Sequence, residues 1–183
     1  MQKVKINLPT NLRSGAKFKG IFDIEIKDKL GNLLSRSRAE NIITDEGLNK
    51  LLNIMLHAAT QITTWYCVIF EDNYTPLSTN TYAVPGYTEW TAFDEATRPE
   101  YVEAESTAKS TTNSANKAVF TANATKTLYG ASLVGGGTDP TVKGNTAGGG
   151  VLLCAGKFAA SQPVVDDNVV DLTYTVTAAD DAV

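Results

Sequence analysis

The sequence predicts a mainly β protein, an antiparallel β-sandwich or jelly-roll-like domain with one α-helix, at about residues 44–58, packed on it. Apolar residues recur at helical spacing over a long stretch in only one place, and about eight short segments elsewhere show the alternating or continuous apolar pattern of strands. Strands at such short spacing are typical of a sandwich and not of a parallel sheet. Since the chain has 183 residues and is 43% hydrophobic, we expect one domain at residues 17–183 behind an N-terminal arm at residues 1–16.

The arm is predicted because residues 7–16 are rich in turn-forming residues. Before the first acidic residue, Asp23, the chain has only basic charges, and these are the candidate assembly contacts of the arm: Lys3, Lys5, Arg13, Lys17 and Lys19. The arm is either a solvated tail or a segment that docks on a neighbouring acidic subunit.

A β-hairpin is predicted after the arm. Residues 18–28 alternate apolar and charged side chains, which places Phe22, Ile24 and Ile26 on one face of a half-exposed strand. Residues 28–32 have the composition of a turn, and residues 33–40 return as a second, more polar strand.

The predicted helix follows this hairpin directly. Its apolar residues fall at i, i+3, i+4, i+7 and i+8, a stripe wide enough to cover a sheet: Leu48, Leu51, Leu52, Met55 and Leu56. Thr44 is the predicted N-cap, because its hydroxyl can accept a hydrogen bond from the amide of Gly47.

The rest of the chain is predicted to be strand and loop. Residues 62–70 are almost continuously apolar, which indicates a central strand buried on both faces. Residues 72–100 lack periodicity and are predicted to form a long excursion, either functional surface or a lid on the sheet. Residues 135–150 carry a glycine triplet at each end and are predicted to be a mobile hairpin loop. The remaining strands are predicted at residues 101–108, 117–124, 126–134, 151–158 and 169–176.

Composition argues against several classes of function. The net charge of −4 removes the electrostatic basis for tight binding to a phosphate backbone, so no nucleic-acid partner is expected. No segment approaches the roughly 18 uninterrupted apolar residues of a membrane span, and the N-terminus lacks the apolar run of a signal peptide. We therefore expect a soluble protein made in the cytoplasm, without a membrane partner.

The sequence shows no constellation of residues suited to catalysis, so we expect no enzyme, no metal site and no cofactor. His57 is the only histidine, which excludes a multi-histidine metal site. The glycine triplets lack the Gly-Lys-Ser/Thr ending of a phosphate loop. Cys67 and Cys154 each lie within an apolar run and are expected to be small buried hydrophobes without a disulfide.

Five short segments together resemble small virion structural proteins of tailed bacteriophages: residues 41–48, 65–70, 74–76, 127–131 and 150–153. The resemblance implies a non-enzymatic subunit present in many copies on the virion, as a head–tail connector or neck-associated protein, a tail fibre or a capsid decoration. Its implied partners are portal, adaptor, tail or capsid subunits and further copies of itself in a homo-oligomer. The glycine-rich residues 135–150 are not part of the family pattern.

A carbohydrate- or receptor-binding module is the alternative interpretation. A β-sandwich often presents loops such as residues 72–100 and 135–150 to a ligand, and aromatic rings in them can stack on sugars. The candidate stacking residues are Tyr74, Tyr82, Tyr87 and Trp90.

Overall fold

Two antiparallel sheets pack face to face in the structure, a computed structural model that describes residues 16–180. In chain order the elements of that range are β1 (Ala16–Lys27), β2 (Leu33–Glu40), β3 (Ile42–Ile43), α1 (Asp45–Leu56), β4 (Trp65–Phe70), β5 (Ser110–Thr112), β6 (Ala118–Thr121), β7 (Lys126–Gly135), β8 (Val151–Val164) and β9 (Val169–Asp180). The first sheet has the order β2-β1-β9, with β5 and β6 both paired to β9, and the second has the order β3-β8-β7-β4. The predicted β-sandwich with one helix is confirmed.

Aromatic side chains from both sheets and from the excursion fill the space between the sheets. Phe22 of β1 stacks on Tyr174 of β9 with ring centroids 4.4 Å apart. Trp90, from the excursion, lies 5.3 Å from Phe93 and 5.9 Å from Phe120 between ring centroids and is fully buried. Part of the excursion therefore contributes to the core, because large apolar rings gain most by leaving water.

The N-terminal hairpin has the predicted strands and faces. Phe22, Ile24 and Ile26 are fully buried, and the charged residues between them are half-buried. In the turn, the carboxylate of Asp28 accepts hydrogen bonds from the amides of Leu30 and Asn32, both at 2.9 Å. Such side-chain to backbone bonds are the reason aspartate favours turns.

β1 and β9 continue together as a ribbon, formed by residues 16–19 and 177–180, which the start of β5 flanks at Thr177 and Ala178. Residues 16–19 are all exposed, and Gly20 is the first buried residue of β1. The four residues of β1 in the ribbon span about 13 Å from Gly20, at about 3.3 Å per residue. The predicted arm, residues 1–16, lies outside the described residues apart from Ala16, which begins the ribbon.

The helix begins as predicted, because Thr44 is its N-cap and accepts a hydrogen bond from the amide of Gly47 at 3.0 Å. This first turn is fixed to β8 of the second sheet and to the excursion. The carboxylate of Glu46 accepts from the amides of Tyr82 at 2.8 Å and Leu152 at 2.6 Å. Gly47 lies so close to β8 that a Cβ there would be 2.4 Å from a carbonyl oxygen of that strand.

The prediction that the apolar stripe of the helix covers a sheet is wrong. Exposure rises along the helix from 41% at Leu48 through 54% at Leu52 and 68% at Met55 to 79% at Leu56. We call these four residues the helix face. The first turn of the helix contacts β8, and Leu51 of the predicted stripe is half-buried, but the helix face is exposed. The same periodicity therefore produces an apolar surface in contact with solvent.

The prediction that residues 62–70 form a central strand is also wrong in position, because β4 is the last strand of the second sheet. The excursion covers its outer edge with backbone hydrogen bonds. The amide of Trp90 donates to the carbonyl of Ile69 at 2.8 Å, and the amide of Cys67 donates to the carbonyl of Pro99 at 2.9 Å. This cover explains the continuous apolar run, since β4 is buried like an interior strand.

Residues 101–108 are irregular and not a strand, apart from an isolated bridge between Thr107 and Ser110. Their weak alternation has no covered face, because residues 102–109 are all exposed. The chain turns at Ala108 and Lys109, which have φ of 51° and 64°, and continues as β5. β8 and β9 are longer than predicted, because β8 pairs with β7 as far as Val164 and β9 follows β1 along the ribbon.

Candidate functional site

A buried ion pair lies within the excursion, next to the connection between β7 and β8. The side chain of Arg98 is 3% exposed and that of Glu89 is 9% exposed. The guanidinium binds the carboxylate with two parallel hydrogen bonds, from Nε to Oε1 at 2.9 Å and from Nη2 to Oε2 at 2.6 Å. Burial disfavours the charged form of Arg98, but the Glu89 carboxylate outweighs that effect, so the pKa of Arg98 lies above its ordinary value.

The remaining N–H groups of Arg98 donate to three other oxygens. Nη1 donates to the hydroxyl of Tyr82 at 3.2 Å and to the carbonyl of Pro140 at 2.8 Å, and Nη2 donates to the carbonyl of Asn145 at 2.8 Å. We call these five residues the Arg98 cluster. A guanidinium has five N–H donors, so every one is used within the protein and none is left for a ligand. The cluster therefore holds two loops together.

Further bonds tie the glycine-rich connection to the excursion. The Glu89 carboxylate also accepts from the amide of Gly144 at 2.9 Å. Lys143 donates from Nζ to the carbonyl of Phe93 at 2.7 Å and lies 4.1 Å from the centroid of that ring. Residues 135–150 do form the connection of the predicted β7–β8 hairpin, and these contacts hold it against the excursion.

A cleft of about 310 Å³ lies beside the Arg98 cluster. The buried polar groups that line it have partners within the protein; the hydroxyl of Tyr87, for example, lies 2.6 Å from the hydroxyl of Ser132, a residue outside the lining. Burial raises the pKa of Tyr87, so this hydroxyl stays protonated. Among residues 16–180, the buried side-chain polar atoms without a partner are Nε1 of Trp90 and the hydroxyl of Tyr101, and neither residue lines the cleft. The cleft therefore shows no convergent groups that await a ligand.

The candidate stacking residues lie close together, but three of the four have no open ring face. Trp90 is fully buried, and Tyr82 and Tyr87 are 4% and 8% exposed. Tyr87 stacks on Phe70 with centroids 4.6 Å apart. Tyr74 is half-buried and bonds through its hydroxyl to the side chain of Asn80. The prediction that Tyr82, Tyr87 and Trp90 stack on a sugar is therefore corrected, because a sugar could reach these buried rings only if the excursion opened.

The candidate basic residues of the arm separate into two groups. Lys3, Lys5 and Arg13 lie outside the described residues. Lys17 and Lys19 lie on β1, in the ribbon, where they pair in register with Ala179 and Thr177. The strand thus includes two basic residues that the sequence interpretation assigned to the arm.

A network of paired charges lies on the first sheet. Lys117 binds Glu25 at 2.7 Å, and Lys27 binds Asp171 at 2.5 Å, with cross-contacts of 3.9 Å between the pairs. Two bases and two acids balance one another across β1, β9 and the start of β6. The network is suited to holding neighbouring strands together and not to binding an external ion.

The two cysteine thiols lie in the core of the protein. Cys67 and Cys154 are free and buried as predicted, and burial raises the pKa of Cys154 to about 11. Residues 16–180 contain no group of three histidine, cysteine or acidic side chains placed to hold a metal ion. In the same range, no helix has the length and apolar character needed to cross a membrane.

Two groups of exposed large apolar side chains lie close together in the sequence. One is the helix face, and the other is at the tip of the β1–β2 hairpin, where Leu30, Leu33 and Leu34 are more than half exposed. The other exposed large apolar residues of the described part of the chain are scattered along it: Phe18, Ile42, Leu77, Val84, Val102, Val119, Val142 and Val165. Sequence periodicity identified the residues of the helix face but assigned them to the core. Their exposure depends on the direction in which the helix leaves β8, for which the sequence has no signal.

Comparison with known proteins adds no relative. A scan against models of protein families gives no match, and a search of curated proteins finds none that is similar to this chain.

Proposed function

We propose that this protein is a non-enzymatic assembly subunit that works in multiple copies, and that its place is on a bacteriophage virion, as a head–tail connector, tail or capsid decoration protein. The observation that carries the proposal is the helix face, four large apolar side chains exposed on one side of the helix. Large exposed apolar areas mark surfaces that bind other protein.

The chemistry of the described residues supports this proposal over catalysis. The most buried charged group, Arg98, uses its donors to fix loops, the thiols are buried, and the polar groups of the cleft are paired. The carbohydrate- or receptor-binding alternative has less support, since it needs open aromatic rings and three of its four candidates are buried.

Sedimentation velocity of the full chain over a hundredfold range of concentration tests the assembly role. We expect a defined homo-oligomer, a trimer or a closed ring, because identical subunits that expose complementary surfaces form closed symmetric assemblies. A chain that stays monomeric at the highest concentration refutes the proposal. The location is tested separately, since peptides of this chain should be found by mass spectrometry in purified virions and not only in the lysate.

A further inference from the structure

The helix face is a candidate docking surface, and its dimensions limit what can cover it. A helix of 12 residues is about 18 Å long and about 10 Å wide. A stable contact between two rigid proteins buries about 800 Å² on each partner, far more than one face of such a helix offers. An extended segment that lies along the helix and continues onto neighbouring surface matches the area better than a second rigid subunit does.

The first 15 residues of the chain have the composition of such a segment. They include five large aliphatic residues, Met1, Val4, Ile6, Leu8 and Leu12, and three basic residues without any acidic one. The segment thus carries a charge of +3, and since the whole chain carries −4, the rest carries −7. Opposite charges steer the segment towards the body of any copy of this protein.

The direction of the ribbon favours the helix of another copy over the helix of the same copy. Gly20, at the base of the ribbon, is joined to Asn41, just before the helix, by a 3.0 Å hydrogen bond between the backbone amide of Asn41 and the Gly20 carbonyl. Traced back from Gly20 to Ala16, the chain runs about 13 Å away from this junction. The 15 residues before it reach up to about 50 Å when extended. With that reach the segment can contact the helix of a neighbouring copy and needs no reversal of the direction that β1 gives it.

We propose that residues 1–15 of one copy dock on the helix face of a neighbouring copy. This inference rests on the proposed assembly role and names the surface and the partner that would carry it. The proposed contact is between Val4, Ile6 and Leu8 of the segment and the helix face, which includes Leu52, Met55 and Leu56. Each copy both gives a segment and receives one.

The test compares full-length variants by sedimentation equilibrium. One variant carries Val4→Ser, Ile6→Ser and Leu8→Ser, a second carries Leu52→Ser, Met55→Ser and Leu56→Ser, and a third combines the six changes. The matched control carries Leu30→Ser, Leu33→Ser and Leu34→Ser, which replace three equally exposed residues of the hairpin tip. Circular dichroism confirms that each variant is folded.

Each of the first two variants should associate at least about tenfold more weakly, because burial of each large apolar side chain contributes tenfold or more to affinity. The combined variant should be little weaker than either one, because both sets of changes remove the same contact. The control should associate like the unchanged chain. Independent, additive losses from the segment and the helix overturn the inference.

A cross-linking experiment separates neighbouring copies from the same copy. Copies with Ile6→Cys and copies with Met55→Cys, differently tagged, are mixed and oxidised, while the native thiols are buried and stay unreactive. Disulfide-linked pairs that carry both tags support the inference. In a chain with both substitutions, a disulfide that forms only within one copy overturns it.

The outcomes also separate this inference from the assembly role. An oligomer that persists in the segment and helix variants overturns the docking inference and leaves the assembly role in place. A monomer at every concentration overturns both. Loss of the oligomer in the hairpin control alone assigns the interface to Leu30, Leu33 and Leu34 and overturns the inference.

Discussion

Replacement of Arg98 by methionine should destabilise the protein by about 3–5 kcal/mol, the cost of breaking a buried ion pair from one side. With Arg98 3% and Glu89 9% exposed, the carboxylate left behind cannot be solvated without opening the excursion. The carbonyls of Pro140 and Asn145 lose their donors at the same time. For a chain of this length, the melting temperature should fall by about 6–20 °C.

Urea unfolding followed by tryptophan fluorescence measures this change. The matched control is Arg38→Met, which breaks an ion pair of the same kind with Asp23 at 2.7 Å, but with side chains that are 64% and 39% exposed. That control should lose less than about 1 kcal/mol. The double variant Glu89→Met/Arg98→Met should be more stable than Arg98→Met, because it leaves no unpaired charge. An Arg98→Met protein as stable as the Arg38→Met control would refute the reasoning.

Three further predictions follow from contacts described above. Gly47→Ala should lower the free energy of unfolding in urea by about 2–4 kcal/mol, because its Cβ would lie 2.4 Å from a β8 carbonyl oxygen. The control Asn49→Ala, on the exposed side of the same helix, should be nearly neutral. Equal stability of the two variants would contradict the close contact. The two buried cysteines should not react with a thiol reagent in the native protein, since both are inaccessible and burial raises the pKa of Cys154 to about 11. Both should react after unfolding. Fast labelling of the native protein would contradict this prediction. The hydrogen bond from Lys117 lowers the pKa of Glu25 below its ordinary 4.5, so the stability that this carboxylate contributes is present above pH 4.5 and is lost as the pH falls through the folded pKa. Glu25→Gln should therefore lower the urea midpoint at pH 7 and flatten its decline in acid, and an unchanged acid profile would show that the contact has no effect.

The features that could be predicted from the sequence are those that depend on neighbours along the chain. The N-cap at Thr44 needs only the amide of Gly47, three residues later, and the faces of β1 follow from strict alternation around Ile24. Periodicity also placed Leu52 and Met55 on one side of the helix. Whether that side is covered depends on contacts with β8, which are far away in the sequence, and this is why the stripe was assigned to the core.

The position of β4 and the Arg98 cluster show the same limit. A run of apolar residues such as 65–70 indicates burial of both faces, but not whether a strand or an irregular segment binds each edge. Arg98 contacts Pro140 and Asn145, more than 40 residues away in a part of the chain without periodicity. An arginine in an aromatic-rich excursion is a signal for a buried ion pair, yet only the folded chain shows that all its donors are used.

The cover over the outer edge of β4 has a consequence for a protein that gathers in high local concentration. A bare strand at the end of a sheet offers its amides and carbonyls to any other strand, and identical molecules can then stack without limit into fibres. Here those groups are already bonded to residues 88–101, and the ion pair at Arg98 keeps that segment in place. Copies can associate through side chains and through their N-terminal segments, whereas the covered edge of β4 cannot accept a strand from another copy.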